Sequence, residues 1–292
     1  TNNSHFESIY YYSIEASNTS GTSFQFEDSF VEIRNQNNQI QGGHNQSVNQ
    51  TSFAANAVID LLGKNITLEA VSGPDSTFID GEGQNTALSL DAESEDYDGY
   101  ASSTEFIGFT FKDGPDDAPL IKIVGPDISS SLDWAPTFTN CRFIDSEVSA
   151  DDDDGGSVDM YVAPVVIKNA EPVFDGCEFR DLHVEPNSNY YNDKIYGPIR
   201  LYGIWGGDAT EDDTTAFRPQ FKNCVIAGNS LKRGSYNQSS GLSMRGGAVY
   251  VAFGVIPYFE NTRIDSNTVD FESSLNGATG EAYGGGIYLD NY

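Results

Sequence analysis

Three cysteines, Cys141, Cys177 and Cys224, are the first residues to test for chemistry. A thiol can ligate zinc, close a disulfide or attack as a nucleophile. An odd count cannot complete a disulfide framework, and these spacings fit no zinc pattern. The histidines, His5, His44 and His183, are widely spread and leave little room for histidine-based catalysis. Free cysteine packs as a small hydrophobe, so the expectation is three inert interior thiols. Two further groups can contact ligands. Lys232, Arg233 and Arg245 form a cationic set, and Tyr190-Tyr191 can stack on sugar rings. Acidic runs supply the third group: Asp151-Asp152-Asp153-Asp154, and Glu93, Glu95, Asp96 and Asp98. Calcium takes oxygen ligands that flexible acidic loops provide, which makes it the one cofactor these runs suggest. None has the spacing of an EF-hand loop, so a solvated acidic loop is the competing reading.

The charge balance sets limits on partners. With 44 acidic and 15 basic residues the formal charge is −29, which repels nucleic-acid backbones and anionic membranes. The chain is nevertheless 38% hydrophobic, with 18 Phe and 16 Tyr, enough to build a buried core rather than a disordered coil. No stretch approaches the roughly 18 apolar residues that cross a bilayer. Residues 1–30 lack a basic start followed by an apolar core, so no signal peptide is read there.

Each cysteine sits in one recurring phrase. Pro136-Thr-Phe138-Thr-Asn140-Cys141-Arg-Phe143 is followed by Pro172-Val-Phe174-Asp-Gly176-Cys177-Glu-Phe179, then by Pro219-Gln-Phe221-Lys-Asn223-Cys224-Val-Ile226. Pro257-Tyr-Phe259-Glu-Asn261-Thr262-Arg-Ile264 repeats it with threonine for cysteine, and a weaker copy begins at Thr104. The four starts are 36, 47 and 38 residues apart. Within the phrase, apolar and polar residues alternate with the period of a strand. Asparagine, which tolerates left-handed backbone, marks a corner between two strands. Such a unit cannot bury its own face, whereas stacked copies bury a continuous core. Stacking predicts columns inside: Phe138, Phe174, Phe221 and Phe259; Cys141, Cys177, Cys224 and then Thr262. It predicts an amide ladder of Asn140, Asn223 and Asn261 at the corner, interrupted at Gly176.

A second phrase, Gly246-Gly247-Ala-Val249-Tyr250, recurs as Gly284-Gly285-Gly286-Ile287-Tyr288 at the same 38-residue spacing. Ala163-Pro164-Val165-Val166-Ile167 and Gly197-Pro198-Ile199-Arg200-Leu201 hold its place earlier. Four insertions, near Asp145 to Asp159, Asp181 to Tyr196, Asn229 to Arg245 and Asn267 to Tyr283, then fall on one edge. Insertions sharing an edge suit a binding face, although loops also tolerate insertion for no functional reason.

These residues carry a resemblance. Gly63-Lys64-Asn65-Ile66-Thr67-Leu68, with Gly73-Pro74-Asp75-Ser76-Thr77-Phe78-Ile79-Asp80-Gly81, resembles the first coil of right-handed parallel β-helices of the pectin-lyase-like superfamily. The Phe-x-Asn and Gly-Gly-x-Val/Ile-Tyr phrases are similar to repeats of polymorphic outer-membrane-type surface proteins. The resemblance spans residues 60–292 and implies an all-β, right-handed parallel β-helix with long loops on one edge. Residues 1–55 are expected to be an N-terminal cap or degenerate first coils. Residues 56–292 are expected to form the β-helix, continued or capped by a partner beyond 292. The superfamily includes lyases and hydrolases, yet the Gly-His-Gly and Arg-x-Lys motifs of its hydrolases do not occur here. The expectation is a non-enzymatic extracellular or cell-surface protein with a structural, adhesive or filament role. Its partners would be a glycan, a surface protein, or further copies stacked end to end. A calcium-dependent polysaccharide lyase or glycoside hydrolase is one alternative, and a carbohydrate-binding module is the other.

Overall fold

The computed structural model describes residues 23–27, 30–34, 40–43, 57–61, 66–92, 104–126, 134–149, 163–185, 194–203, 216–232, 242–252, 254–270 and 280–290. Among them every regular element is a strand, so the protein is all-β. No helix among the described residues is long and apolar enough to cross a membrane.

Among the described residues from 57 onward all strand pairing is parallel, in sheets visited in turn. The first sheet orders Ala57–Asp60, Thr86–Asp91, Ile121–Val124, Val165–Lys168, Ile199–Tyr202, Val249–Val251 and Ile287–Leu289. The second orders Thr67–Glu69, Glu105–Ile107, Thr137–Thr139, Val173–Asp175, Gln220–Lys222 and Tyr258–Glu260. The third runs Phe78–Asp80, Thr110–Lys112, Arg142–Val148, Glu178–Val184, Val225–Ala227 and Arg263–Asp265, with Ser230–Lys232 and Thr268–Asp270 alongside. Each strand pairs with the strand one repeat unit away, so sequence repeats become spatial neighbours. Ser23–Glu27, Phe30–Arg34 and Ile40–Gly43 differ: they pair antiparallel, and Phe30–Arg34 lies against Phe78–Asp80.

The corner between the second and third sheets explains the Phe-x-Asn phrase. Gly108, Asn140, Gly176, Asn223 and Asn261 all take positive φ, from 49° to 76°. Glycine and asparagine occupy that region at least cost, which is why these two types alternate here. The following residue then turns inward, placing Cys141, Cys177 and Cys224 in the core with at most 1% exposure. Phe106, Phe138, Phe174, Phe221 and Phe259 stack with ring centroids 5.0–5.2 Å apart. Phe111, Phe143 and Phe179 form a second column edge-on to the first. Stacked and T-shaped contacts both satisfy the aromatic quadrupole, each worth about 0.5–1.5 kcal/mol beyond burial. The amide ladder is partial: Asn261 Nδ2 donates to Asn223 Oδ1 at 3.4 Å, while Asn140 faces Gly176.

Within the described residues the four expected insertions begin as strand, and the last three also end as strand. The third-sheet strands continue past a left-handed residue to Val148 and Val184. Lys194–Tyr196, Leu242–Arg245 and Gly280–Tyr283 form a further parallel sheet directly before the glycine steps. Those steps need glycine for close approach. A Cβ on Gly197 would stand 2.1 Å from Gly246 O, and one on Gly247 2.2 Å from Gly285 O.

Candidate functional site

Side chains alternate across the first sheet. Leu88, Ile121, Val165, Ile199 and Val249 enter the core, while Ser89, Lys122, Val166, Arg200, Tyr250 and Tyr288 form a register column on the opposite face. The sheet preceding the glycine steps contributes a second column, Tyr196, Arg245 and Tyr283. The two columns touch where the two sheets adjoin, which makes a corner between them. Tyr196 and Tyr250 have ring centroids 4.1 Å apart. Tyr250 and Tyr288 lie parallel at 6.1 Å, and Tyr283 stands 5.8 Å from Tyr288.

Cations are threaded among these rings. The Arg200 guanidinium is fully buried over the Tyr196 ring at 5.6 Å, and donates to Gly197 O and Tyr196 O. The Arg245 guanidinium lies 5.1 Å from the Tyr288 centroid and donates to Asp290 Oδ2 at 2.8 Å. The Tyr250 hydroxyl donates to that same oxygen at 2.7 Å. Burial, followed by this bond to a carboxylate, pushes the Tyr250 hydroxyl far above the ordinary phenol range. Burial likewise raises Tyr196. The Tyr250 hydroxyl is thereby held as a neutral donor to Asp290. Tyr250 and Arg200 are buried beneath the surface of this corner, which presents the exposed Tyr283 ring and the half-buried Tyr288 ring beside the partly exposed Arg245–Asp290 pair, groups of the kind that take up the apolar face and hydroxyls of a sugar.

Of the residues singled out from sequence, Arg245 lies at this corner. Lys232 lies in the third sheet's extension, in register with Asp270 and close enough to disfavour a charge on His183. Arg233, Tyr190, Tyr191, Asp151, Asp152, Asp153, Asp154, Glu93, Glu95, Asp96 and Asp98 lie outside the described residues. Among the described residues no group of three or more His, Cys, Asp or Glu is placed to hold a metal ion.

Sequence reading missed Tyr196, Arg200, Tyr250, Tyr288 and Asp290. Tyr250 and Tyr288 end the glycine phrase, and Tyr196, Arg245 and Tyr283 each stand immediately before a glycine step. That shared position was the available signal.

A second surface follows the corner after the third sheet, where Asp113, Asp145 and Asp181 repeat a left-handed conformation at φ 51–53°. Burial first, and then Asp181 and Asp113, raise the Asp145 carboxyl. Beside them His183 Nδ1 lies 2.7 Å from Ser230 Oγ. Burial, then Lys232, hold the His183 pKa down against Glu147, Asp181 and Asp145.

No protein-family model, curated protein or solved structure matches the chain.

Proposed function

We propose that the parallel sheets close into one right-handed β-helix of the pectin-lyase-like type, and that it serves as a non-enzymatic extracellular or cell-surface component, structural or adhesive in role. Handedness follows from the strong right-handed preference of parallel crossovers. The constant pairing of each strand with its counterpart one unit away supports the helical path.

The tyrosine–arginine corner carries the functional part of the reading. It is the contact site for a glycan, and a neutral one. Arg245 is already neutralised by Asp290, and a net charge of −29 opposes a polyanionic sugar. Tyr283 and Tyr288 present ring surface, and the Asp290–Arg245 pair presents hydrogen-bonding groups for hydroxyls.

A glycan array carrying neutral and uronic-acid oligosaccharides tests this. The chain is expected to retain neutral glycans, with affinity falling at least tenfold in Tyr288→Ala and Arg245→Ala, as loss of a ~1.4 kcal/mol contact gives. Tyr258→Ala, exposed on the second sheet, is expected to bind like the parent. Retention unaffected by the first two variants removes the corner as the site. Release of cleavage products from any retained glycan overturns the non-enzymatic assignment.

A further inference from the structure

The cysteine column is a chemical feature that the glycan reading leaves unused, and the inference drawn from it does not depend on that reading. Cys141, Cys177 and Cys224 are free and buried in three consecutive repeat units. Their strands are fixed in register on both sides, through Phe138, Phe174 and Phe221 before the corner and Arg142, Glu178 and Val225 after it. Successive cysteines are thus held at the strand spacing, about 4.8 Å between Cα atoms. That falls inside the window of about 4.4–6.8 Å that a disulfide spans. Cys141 and Cys224 are two layers apart, about 10 Å, and beyond it.

The sulfurs share one orientation. Cys177 Sγ lies 3.3 Å from Phe138 O of the preceding unit and 3.6 Å from Asp175 O of its own, and Cys224 Sγ lies 3.4 Å from Phe174 O and 3.1 Å from Lys222 O, so each sulfur sits between two successive units. Cys141 Sγ likewise lies 3.4 Å from Phe106 O. Burial raises the Cys177 thiol well above its ordinary range, and its two cysteine neighbours raise it further. Joining two sulfurs gives up only the weak thiol contacts to these carbonyls.

We infer that the cysteine column is an oxidative cross-linking site, in which Cys177 forms a disulfide with Cys141 or with Cys224 and ties two repeat units together from inside. Cys177 is the obligatory partner, and one thiol always remains. The step is thiol–disulfide exchange with a low-molecular-weight disulfide. Two protein thiols give up two protons and two electrons and join as one S–S bond. The reagent's S–S bond breaks and leaves as two thiols.

The experiment exposes the full chain to oxidised glutathione at a mildly denaturant-loosened temperature. Remaining thiols are then alkylated in denaturant, and disulfide-linked peptides are identified by mass spectrometry. The parent protein is expected to fall from three free thiols to one, with every cross-link containing Cys177. Cys141→Ser and Cys224→Ser are each expected to fall from two thiols to none. Cys177→Ser is expected to keep both. Serine suits the column, because Thr262 occupies the next layer and its hydroxyl donates to Phe221 O at 2.8 Å. Three thiols retained in the parent overturn the proposal. So do a cross-link between Cys141 and Cys224, and glutathione adducts without an internal bond.

Discussion

The phenylalanine column and the aspartate corner are built by the same operation with opposite results. In both, one residue type recurs at one position in consecutive units. Phe106 to Phe259 stack at 5.0–5.2 Å, the first four closed to water, and every added ring extends a favourable contact. Asp113, Asp145 and Asp181 recur at a partly exposed corner, where burial and then the Asp181 and Asp113 carboxylates disfavour the charge on Asp145. Repetition multiplies whatever a position holds. Lys112 shows one local remedy, reaching Asp80 at 2.6 Å and Asp113 at 3.0 Å. The next units offer another, since Gly228 and Ser266 take the same left-handed turn without charge.

The largest expected effect comes from opening the favourable column at its centre. Phe174 touches Phe138, Phe143, Phe179 and Phe221, so Phe174→Ala is expected to cost about 3–5 kcal/mol in urea unfolding. Phe259→Ala, half-buried in the last described layer, is expected to cost less than half as much. Equal losses would break the claim that the column gains strength from neighbours on both sides.

A polar interior column gives an intermediate effect. Asn229 accepts from Leu182 N at 3.1 Å, donates to Phe179 O, and receives no water at 0% exposure. It also donates to Asn267 Oδ1 at 2.9 Å. Asn229→Ala leaves buried donors and acceptors unmatched, and roughly 2 kcal/mol of stability is expected to be lost. Asn229→Asp, which cannot donate, should not restore it. A near-neutral alanine variant would show that interior amides follow the aspartate pattern rather than the phenylalanine one.

The smallest effect has the opposite sign. The Asp145 carboxyl is held above its unfolded value, so the folded state disfavours its charged form. That penalty is complete at neutral pH and disappears as pH falls below the ordinary carboxylate range near 4. Asp145→Asn keeps a residue suited to left-handed backbone and is expected to stabilise by about 0.3 kcal/mol at pH 7. Thermal unfolding should show this gain shrinking in high salt and vanishing in acid. A gain that persists in acid would remove repulsion as its cause.

Much of the interior was legible because its chemistry repeats within a short phrase. Phenylalanine two before asparagine, cysteine one after, and a second apolar residue two further on fix two strands and a corner without any long-range information. Asn229 and Asn267 were hidden for a different reason. They recur at the 38-residue spacing, but in Ala-Gly-Asn-Ser and Asp-Ser-Asn-Thr, where the flanking residues differ and the reading had already assigned loop. The tyrosine–arginine corner was harder still. It combines positions on either side of a glycine step, and only the fold brings Tyr196 onto Tyr250 or Arg245 onto Asp290. Arg200 shows the limit clearly, because a charged side chain in an apolar phrase gives no sign in sequence that it is fully buried.

The phenylalanine rings also record an independence between chain length and contact. Phe138 and Phe174 are separated by 36 residues and Phe174 and Phe221 by 47, yet their centroids lie 5.0 and 5.1 Å apart. Closing the longer excursion costs only about 0.2 kcal/mol more. The segments between columns can therefore be lengthened or shortened with little entropic penalty, whereas a change within a column removes ring contacts on both sides. Differences in segment length are absorbed between the columns, and the ring contacts are left unchanged by them.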